Sequence, residues 1–335
     1  MEKIAIIGTG LMGTSLGLAI KKVGLKDTQL VGIDLERSRA NKAQKMGAVD
    51  KVERSLPEVV SNASLVFIST PVLAMKEVMQ IIGPRLSEGA LVTDTGGTKR
   101  DILAWAKEYL PDHVDFVGAH PMAGKETQGP EHADATIFQG RPYCIVPSPD
   151  ASTKSVKSIM DLATAIGARP YFIDVAEHDS FVAAVSHLPF VVSAALIGCT
   201  SKSPQWGDIS QLASSGFRDV SRLASGDSIM HRDVCLTNKE SISYWIDELT
   251  AELQRVKRLI NRDDNSQDLY NLFENAFEER EKWLSGVTTP WSRADYERPK
   301  VPSATETAST LFFGQQVAKR LFSDNESKDV KRKKQ

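Results

Sequence analysis

The chain is poor in cysteine, nearly balanced in charge and without a long uninterrupted apolar run, and each shortage excludes something. Cys144, Cys199 and Cys235 are the only cysteines among 335 residues. They are odd in number, far apart and in no metal-ligand spacing. They therefore read as reduced, mostly buried thiols of a cytoplasmic protein, and neither a disulfide framework nor a metal site is expected. Lys and Arg number 41 against 43 Asp and Glu, a formal net charge of −2. That gives no field to gather nucleic acid or a membrane surface. No apolar run approaches the ~20 residues needed to cross a bilayer. The first residues run directly into a strand, so no signal peptide is expected. What remains is ordinary for a globular protein, 41% apolar and 25% charged, and long enough for two domains. No internal repeat is present.

The first turn organises the chain. Lys3-Ile-Ala-Ile-Ile7 reads as a buried strand that runs into Gly8-Thr9-Gly10-Leu11-Met12-Gly13, and an apolar helical pattern follows through Ile20. In that context the glycines have distinct jobs. Gly8 lets the turn close, Gly10 lets a pyrophosphate approach the backbone, and Gly13 lets the helix lie close on the sheet. The helix N–H groups, with Leu11 and Met12 in the first turn, then face the phosphates. A second strand, Leu30–Asp34, ends in an acid 21 residues after Gly13. A carboxylate there accepts hydrogen bonds from the adenosine ribose and repels a 2′-phosphate, so NAD is favoured over NADP. Arg37 and Arg39 follow within one turn and soften that preference. Asp34 serves equally well as the cap of a helix over Glu36–Met46.

Further strand-like runs follow at Ser64–Pro71, Ala90–Asp94, Val114–Ala119, Pro142–Val146 and Arg169–Ile173. Ser69-Thr70-Pro71 lies where ligands bind in open α/β sheets, at the carboxyl edge. Helix capping, with Pro71 at the first helical position and Thr70 before it, accounts for the same residues. Gly96 and Gly97 after Asp94 suggest backbone running close to a ligand. His120 stands at a strand's carboxyl end on the edge of the dinucleotide loop, which places an imidazole of ordinary pKa ~6.5 near a bound nicotinamide. From Ala176 helical patterns take over. Phe181–Thr200 is nearly all apolar beyond Pro189, which would kink it, and a helix apolar all round must be buried, here against a second subunit. Trp245, Ile246, Leu249, Leu253, Val256 and Ile260 mark one apolar stripe, and Leu269, Leu272, Phe273, Ala276 and Phe277 another. Both read as core.

The expected architecture is α/β, with an N-terminal Rossmann-like, mostly parallel sheet domain (1–174) followed by an all-α domain (175–284). A linker, one possible helix and a charged tail occupy 285–335.

Beside the glycine loop stand Ser69-Thr-Pro71, Asp94-Thr-Gly-Gly-Thr-Lys99, Gly118-Ala-His-Pro-Met-Ala-Gly124, Ser186-His-Leu-Pro189 and Gly216-Phe-Arg-Asp-Val-Ser-Arg222. This ordered set resembles the prephenate/arogenate dehydrogenases of tyrosine biosynthesis, from about Lys3 to Trp283. The resemblance implies NAD-dependent oxidative decarboxylation of prephenate, or of arogenate, by a homodimer joined through the helical domain. His120 then matches the catalytic histidine, the base for the C4 hydroxyl proton, help typically worth ~10²–10⁴-fold. His187 matches a histidine that holds the substrate, or is a packing histidine beside Pro189. Arg222 matches the arginine that grips a substrate carboxylate, with Arg218 and Asp219 able to pair and shape the loop. Glu126 matches an acid at the mouth of the site, or is a surface charge. Family members often carry a serine for the C4 hydroxyl where this chain has Gly97, so Thr98 or a water is expected to substitute.

Two other classes compete. A β-hydroxyacid dehydrogenase needs a Lys-x-x-x-Asn pair, and the only such spacing, Lys257 to Asn261, ends a charged amphipathic helix without flanking glycines. A non-catalytic NAD-binding protein keeps Gly8–Gly13 but has no use for His120, His187 and Arg222.

Overall fold

The structure is a computed structural model that describes residues 2–286. The helix and charged tail expected further on lie outside the described residues. Eight runs form strands: β1 (Glu2–Ile7), β2 (Thr28–Ile33), β3 (Lys51–Val52), β4 (Leu65–Ile68), β5 (Leu91–Asp94), β6 (Asp115–Pro121), β7 (Pro142–Pro147) and β8 (Arg169–Phe172). They make one sheet in the order β3-β2-β1-β4-β5-β6-β7-β8. Every neighbouring pair is parallel except β6 and β7, where His120 stands opposite Cys144. The carboxyl ends of β1, β2, β4, β5 and β6 therefore share one edge.

Six helices follow strands of this sheet: α1 (Leu11–Val23), α2 (Arg37–Lys45), α3 (Leu56–Val60), α4 (Val72–Ile82), α5 (Arg100–Tyr109) and α6 (Thr153–Ala165). The strand period of two decides which face each residue covers. Ile4 and Ile6 of β1 join Leu16 and Ile20 of α1 and Ile159 and Leu162 of α6. Ala5 and Ile7 join Met75 and Met79 of α4 and Ile102 of α5 on the opposite face. Each fully buried Ile, Leu or Met contributes roughly 1.5–3 kcal/mol, so a sheet apolar on both faces holds helices on both.

After β8 the chain is helical: α7 (Val175–Val182), α8 (Leu188–Thr200), α9 (Trp206–Ile209), α10 (Ser215–Ser221), α11 (Ser228–Thr237), α12 (Lys239–Ile260) and α13 (Ser266–Ser285). Asp174 starts α7 by accepting hydrogen bonds from the N–H groups of Ala176 (2.7 Å) and Glu177 (2.9 Å). A π-helical turn, Ala183–His187, joins α7 to α8. Pro189 explains it locally, because it has no N–H to continue the α-helical ladder.

Joined in this way, Val175–Thr200 is long and apolar enough to cross a membrane by length and composition. That corrects the expectation that no stretch approaches such a length. The polar residues that break the apolar run in sequence do not break the helix. His178 and Asp179 are 0% and 1% exposed and hydrogen-bonded inside the fold, as befits a helix docked on protein.

The chain forms two compact units, which among the described residues cover 2–242 and 243–286. In the second unit the two apolar stripes are open and not core, with Leu253, Ile260, Phe273 and Phe277 all exposed. In α8 only Phe190 and Ser193 are buried, so the described residues do not enclose this helix either.

Candidate active site

The glycine loop is as tight as its sequence requires. Gly8 sits at φ +91°, and a Cβ there would lie 2.5 Å from the Ser69 carbonyl oxygen. A Cβ on Gly13 would lie 1.9 Å from the Gly8 carbonyl oxygen, so α1 approaches the turn closely only without a side chain. Gly10 is different. Nothing stands within 4 Å of where its Cβ would be, and as the N-cap of α1 it offers no side chain to the helix's first N–H groups. Leu11 and Met12, half-buried, form the first turn. An open backbone at a helix N-terminus fits the pyrophosphate of a dinucleotide.

Asp34 braces this loop. One of its oxygens accepts from the Thr9 N–H at 2.7 Å and from the Thr9 hydroxyl at 3.3 Å. The other accepts from the Glu36 N–H at 3.0 Å. The cap of α2 is Glu36, so Asp34 is not the helix cap that its position allowed. At the end of β4, Ser69 accepts from the Thr95 hydroxyl (3.1 Å), which ties two strand ends together. Pro71 is the N-cap of α4 rather than its first residue, and Thr70 precedes it. The side chain serving this helix end is Asp233 of α11, which accepts from the Leu73 N–H at 3.1 Å.

His120 lies near the end of β6 within a chain of hydrogen bonds. Its Nδ1 is 3.0 Å from Nε2 of His178, and Nδ1 of His178 is 2.8 Å from Asp179 Oδ1. Asp179 also accepts from the backbone N–H groups of Lys99 (2.8 Å) and Arg100 (2.9 Å). Burial opposes the ionised form of Asp179, but these bonds outweigh it and hold its pKa below the usual range. Burial, then the neighbouring His178, Lys99 and His187, holds His120 well below the ordinary histidine value. The imidazole is therefore neutral at neutral pH and free to accept a proton.

Beneath it is a fully buried ion pair. Lys99 Nζ meets Asp94 Oδ2 at 2.5 Å and the carbonyls of Gly96 and Thr98 at 2.8 and 3.1 Å. Asp94 also accepts from the N–H groups of Gly96 (2.7 Å) and Ala119 (3.0 Å), which locks the β5 loop to the strand that carries His120.

Two expected site residues stand elsewhere. Gly96, expected at the cofactor, is buried with both backbone polar atoms engaged by Asp94 and Lys99, and a Cβ there would lie 2.5 Å from Ile102 Cδ1. Its small size serves packing. Thr98, expected to substitute for the family serine, is 0% exposed. Its hydroxyl lies 2.9 Å from that of Thr237, whose own proton goes to the Asp233 carbonyl (2.8 Å), so Thr98 donates to Thr237. The half-buried Gly97 has room for a Cβ, which would lie 3.5 Å from Val234 Cγ2 and 4.0 Å from His187 Nε2.

His187 is 2% exposed, hydrogen-bonded to the Gly97 backbone and 3.3 Å from Asn238 Nδ2 through its Nδ1. Burial takes its pKa down to about 4. Glu126 and Arg222, predicted separately, form an ion pair with both side chains part-exposed.

Reading the sequence alone misses His178, Asp179, Lys99, Asp94, Thr237 and Asn238 as parts of the site. A signal existed for the first two. A histidine and an aspartate stand side by side two turns before Ser186-His187, on the stretch that leads into the apolar helix, and a buried pair of that kind needs hydrogen-bond partners.

Comparison with known proteins bears on the whole arrangement. Residues 16–172 match the prephenate dehydrogenase nucleotide-binding domain, and residues 174–275 match the prephenate dehydrogenase dimerization domain. A prephenate dehydrogenase of Bacillus subtilis is 32% identical over 84% of this chain and 76% of its own length. The crystal structure of prephenate dehydrogenase from A. aeolicus in complex with hydroxyphenyl propionate and NAD+ is 28% identical, with a TM-score of 0.77, and is covered to 98% by 84% of this chain. That of Synechocystis arogenate dehydrogenase is 30% identical, with a TM-score of 0.68, over 84% of this chain and 99% of that one. The glycine cradle, the braced acid and the histidine at the sheet edge thus stand on a chain that belongs to the prephenate dehydrogenase family of NAD-linked oxidoreductases.

Proposed function

We propose that the chain oxidises prephenate with NAD, and that His120 is its base. The observation that carries this reading is a neutral histidine, held by His178 and Asp179, on the same sheet edge as a cradle fitted to a dinucleotide. Gly8, Gly10 and Gly13 with the α1 N-terminus receive the pyrophosphate, Asp34 the ribose, and Ser69, Thr70 and Pro71 flank the nicotinamide side. NAD, when bound, supplies the hydride acceptor. His120 takes the C4 hydroxyl proton as C4 gives up its hydride. The ring carboxylate then leaves as carbon dioxide and its electron pair makes the ring aromatic. Arg222 grips a substrate carboxylate, and Glu126 holds that guanidinium at the mouth until substrate displaces it. His187 acts from the helical side, shaping the backbone at Gly97.

The domain division is placed near residue 174, in keeping with the two family models that meet there. A homodimer through the helical domain accounts for α8 and for the open stripes of α12 and α13, which a second copy would bury. The three free cysteines suit a cytoplasmic enzyme, although only Cys144 is buried and Cys199 is exposed, against the expectation of mostly buried thiols.

L-Arogenate is the second reading, supported by the likeness to an arogenate dehydrogenase. Initial rates of reduced-cofactor formation with each substrate, against NAD and NADP, test both. Prephenate with NAD is expected to give the highest kcat/KM. A higher value with arogenate reassigns the substrate, and no turnover of either overturns the reading.

A further inference from the structure

The oxidation has a proton balance that the site must respect. The substrate carries a hydroxyl proton at C4, and the phenol formed there carries one too. The hydride leaves with its electron pair, the carboxylate leaves as carbon dioxide and donates its pair to the ring, and no proton is left over. A base that takes the hydroxyl proton can therefore give it back to the same oxygen in the same turnover, with no exchange with water.

The hydrogen bonds say how the base is set. Asp179 accepts from Lys99 N–H and Arg100 N–H and lies 2.8 Å from His178 Nδ1. An ionised carboxylate only accepts, so His178 carries its proton on Nδ1 and a lone pair on Nε2. That lone pair lies 3.0 Å from His120 Nδ1, which must be the donor. The neutral His120 then has one tautomer, with its basic lone pair on Nε2.

We infer that His178 and Asp179 are positioning residues that fix this tautomer and act with His120 as a closed proton store. When Nε2 of His120 takes the hydroxyl proton, Nδ1 of His120 passes its own to Nε2 of His178. Both moves reverse when the phenol oxygen is protonated. The inference rests on the reading of His120 as the base.

The surroundings favour that direction. Lys99, from the loop after β5, and His187, from the π-helical turn, oppose a charge on His120. Burial opposes a charge on His178 and keeps its pKa below the ordinary value, but Asp179 on the same helix and Asp94 at the end of β5 favour one there, as no carboxylate does at His120. Lys99 opposes it there too, but is itself paired with Asp94. Cys144, across from His120 on β7, is a neutral thiol pushed up to about 11 by burial. His178 and Asp179 are 0% and 1% exposed, so a proton held there is kept from water.

The test uses His178→Gln and Asp179→Asn in the full chain. A glutamine can accept from His120 and donate to Asp179, which keeps the tautomer but cannot take the proton. Single-turnover formation of reduced cofactor in mixtures of light and heavy water is expected to depend on deuterium fraction along a curve in the wild type, as two moving protons require. For His178→Gln it should follow a straight line, with the rate down about 10–10²-fold and both KM values within about twofold. Nitrogen-15 NMR of the free wild type should find His120 protonated on Nδ1, and Asp179→Asn should disturb that tautomer. A straight line in the wild type, an unchanged rate and curve in His178→Gln, or a His120 proton on Nε2 would overturn the inference. Absence of wild-type turnover would instead overturn the functional reading, and the NMR tautomer would still decide this one.

Discussion

Lys99→Met removes the ammonium at the centre of the site while keeping most of the stem's volume. Lys99 and Asp94 are both 0% exposed, and the ammonium meets Asp94 at 2.5 Å and the carbonyls of Gly96 and Thr98 at 2.8 and 3.1 Å. After substitution Asp94 keeps two N–H donors, those of Gly96 and Ala119, but no counter-charge. Breaking a buried pair from one side costs about 3–5 kcal/mol. Lost bonds to the two carbonyls push towards the upper end, and relaxation around the flexible methionine pushes back. At about 4 kcal/mol, and roughly 2–4 °C per kcal/mol for a domain of this size, the melting temperature should fall by about 8–16 °C. Calorimetry at neutral pH without cofactor measures it. The same cation lowers the pKa of His120 and of His178, so its loss raises both. The acid limb of kcat/KM should therefore move to higher pH. A melting temperature within about 2 °C of the wild type, with an unmoved acid limb, would refute the placement of Lys99 beneath His120.

Three other outcomes follow from the geometry. Arg222→Ala should raise the substrate KM about 10–100-fold, because each charge-assisted bond to a carboxylate is worth roughly 1.5–3 kcal/mol. An unchanged KM in steady-state kinetics would transfer the role to Arg218. Asp34→Ala removes both the ribose acceptor and the brace on Thr9, so kcat/KM with NAD should drop and the preference over NADP should shrink; an undiminished preference would point to Arg37 or Arg39. Finally, His187 titrates at about 4 when folded, below its unfolded ~6.5. The unfolded chain binds the extra proton first, so stability present above pH ~6.5 is lost as pH falls towards about 4. The loss from this residue is about 3 kcal/mol, and His120 and His178 add in the same direction. Denaturant melts of unchanged midpoint across that range would count against the buried histidines.

Local chemistry was legible where one short stretch contains its own reason. Gly8–Gly13 needs only its turn and the strand before it, and Asp34 only its spacing, so the cradle could be read directly. His120 could be placed because a strand's carboxyl end has a known side of the sheet. The partners of these residues come from far along the chain, and no local pattern reports them. Asp179 reaches Lys99 across 80 residues and Thr237 reaches Thr98 across 139. Thr98 looked available because sequence shows a hydroxyl but not what it faces. Pro71 and Thr70 stand one position earlier relative to α4 than the sequence suggests, and the side chain that serves this helix end, Asp233, is 160 residues away from Leu73. The stripes of α12 and α13 read as core because an apolar face must be covered, and periodicity does not say by which chain.

The central claim is that His120 takes the proton from the carbinol that gives up its hydride. The direct test is single-turnover formation of reduced NAD from prephenate by the wild type and by His120→Asn, with NAD affinity measured alongside. The account predicts a rate lower by about 10²–10⁴-fold with NAD affinity unchanged. A His120→Asn enzyme that turns over within a few-fold of the wild type would contradict it.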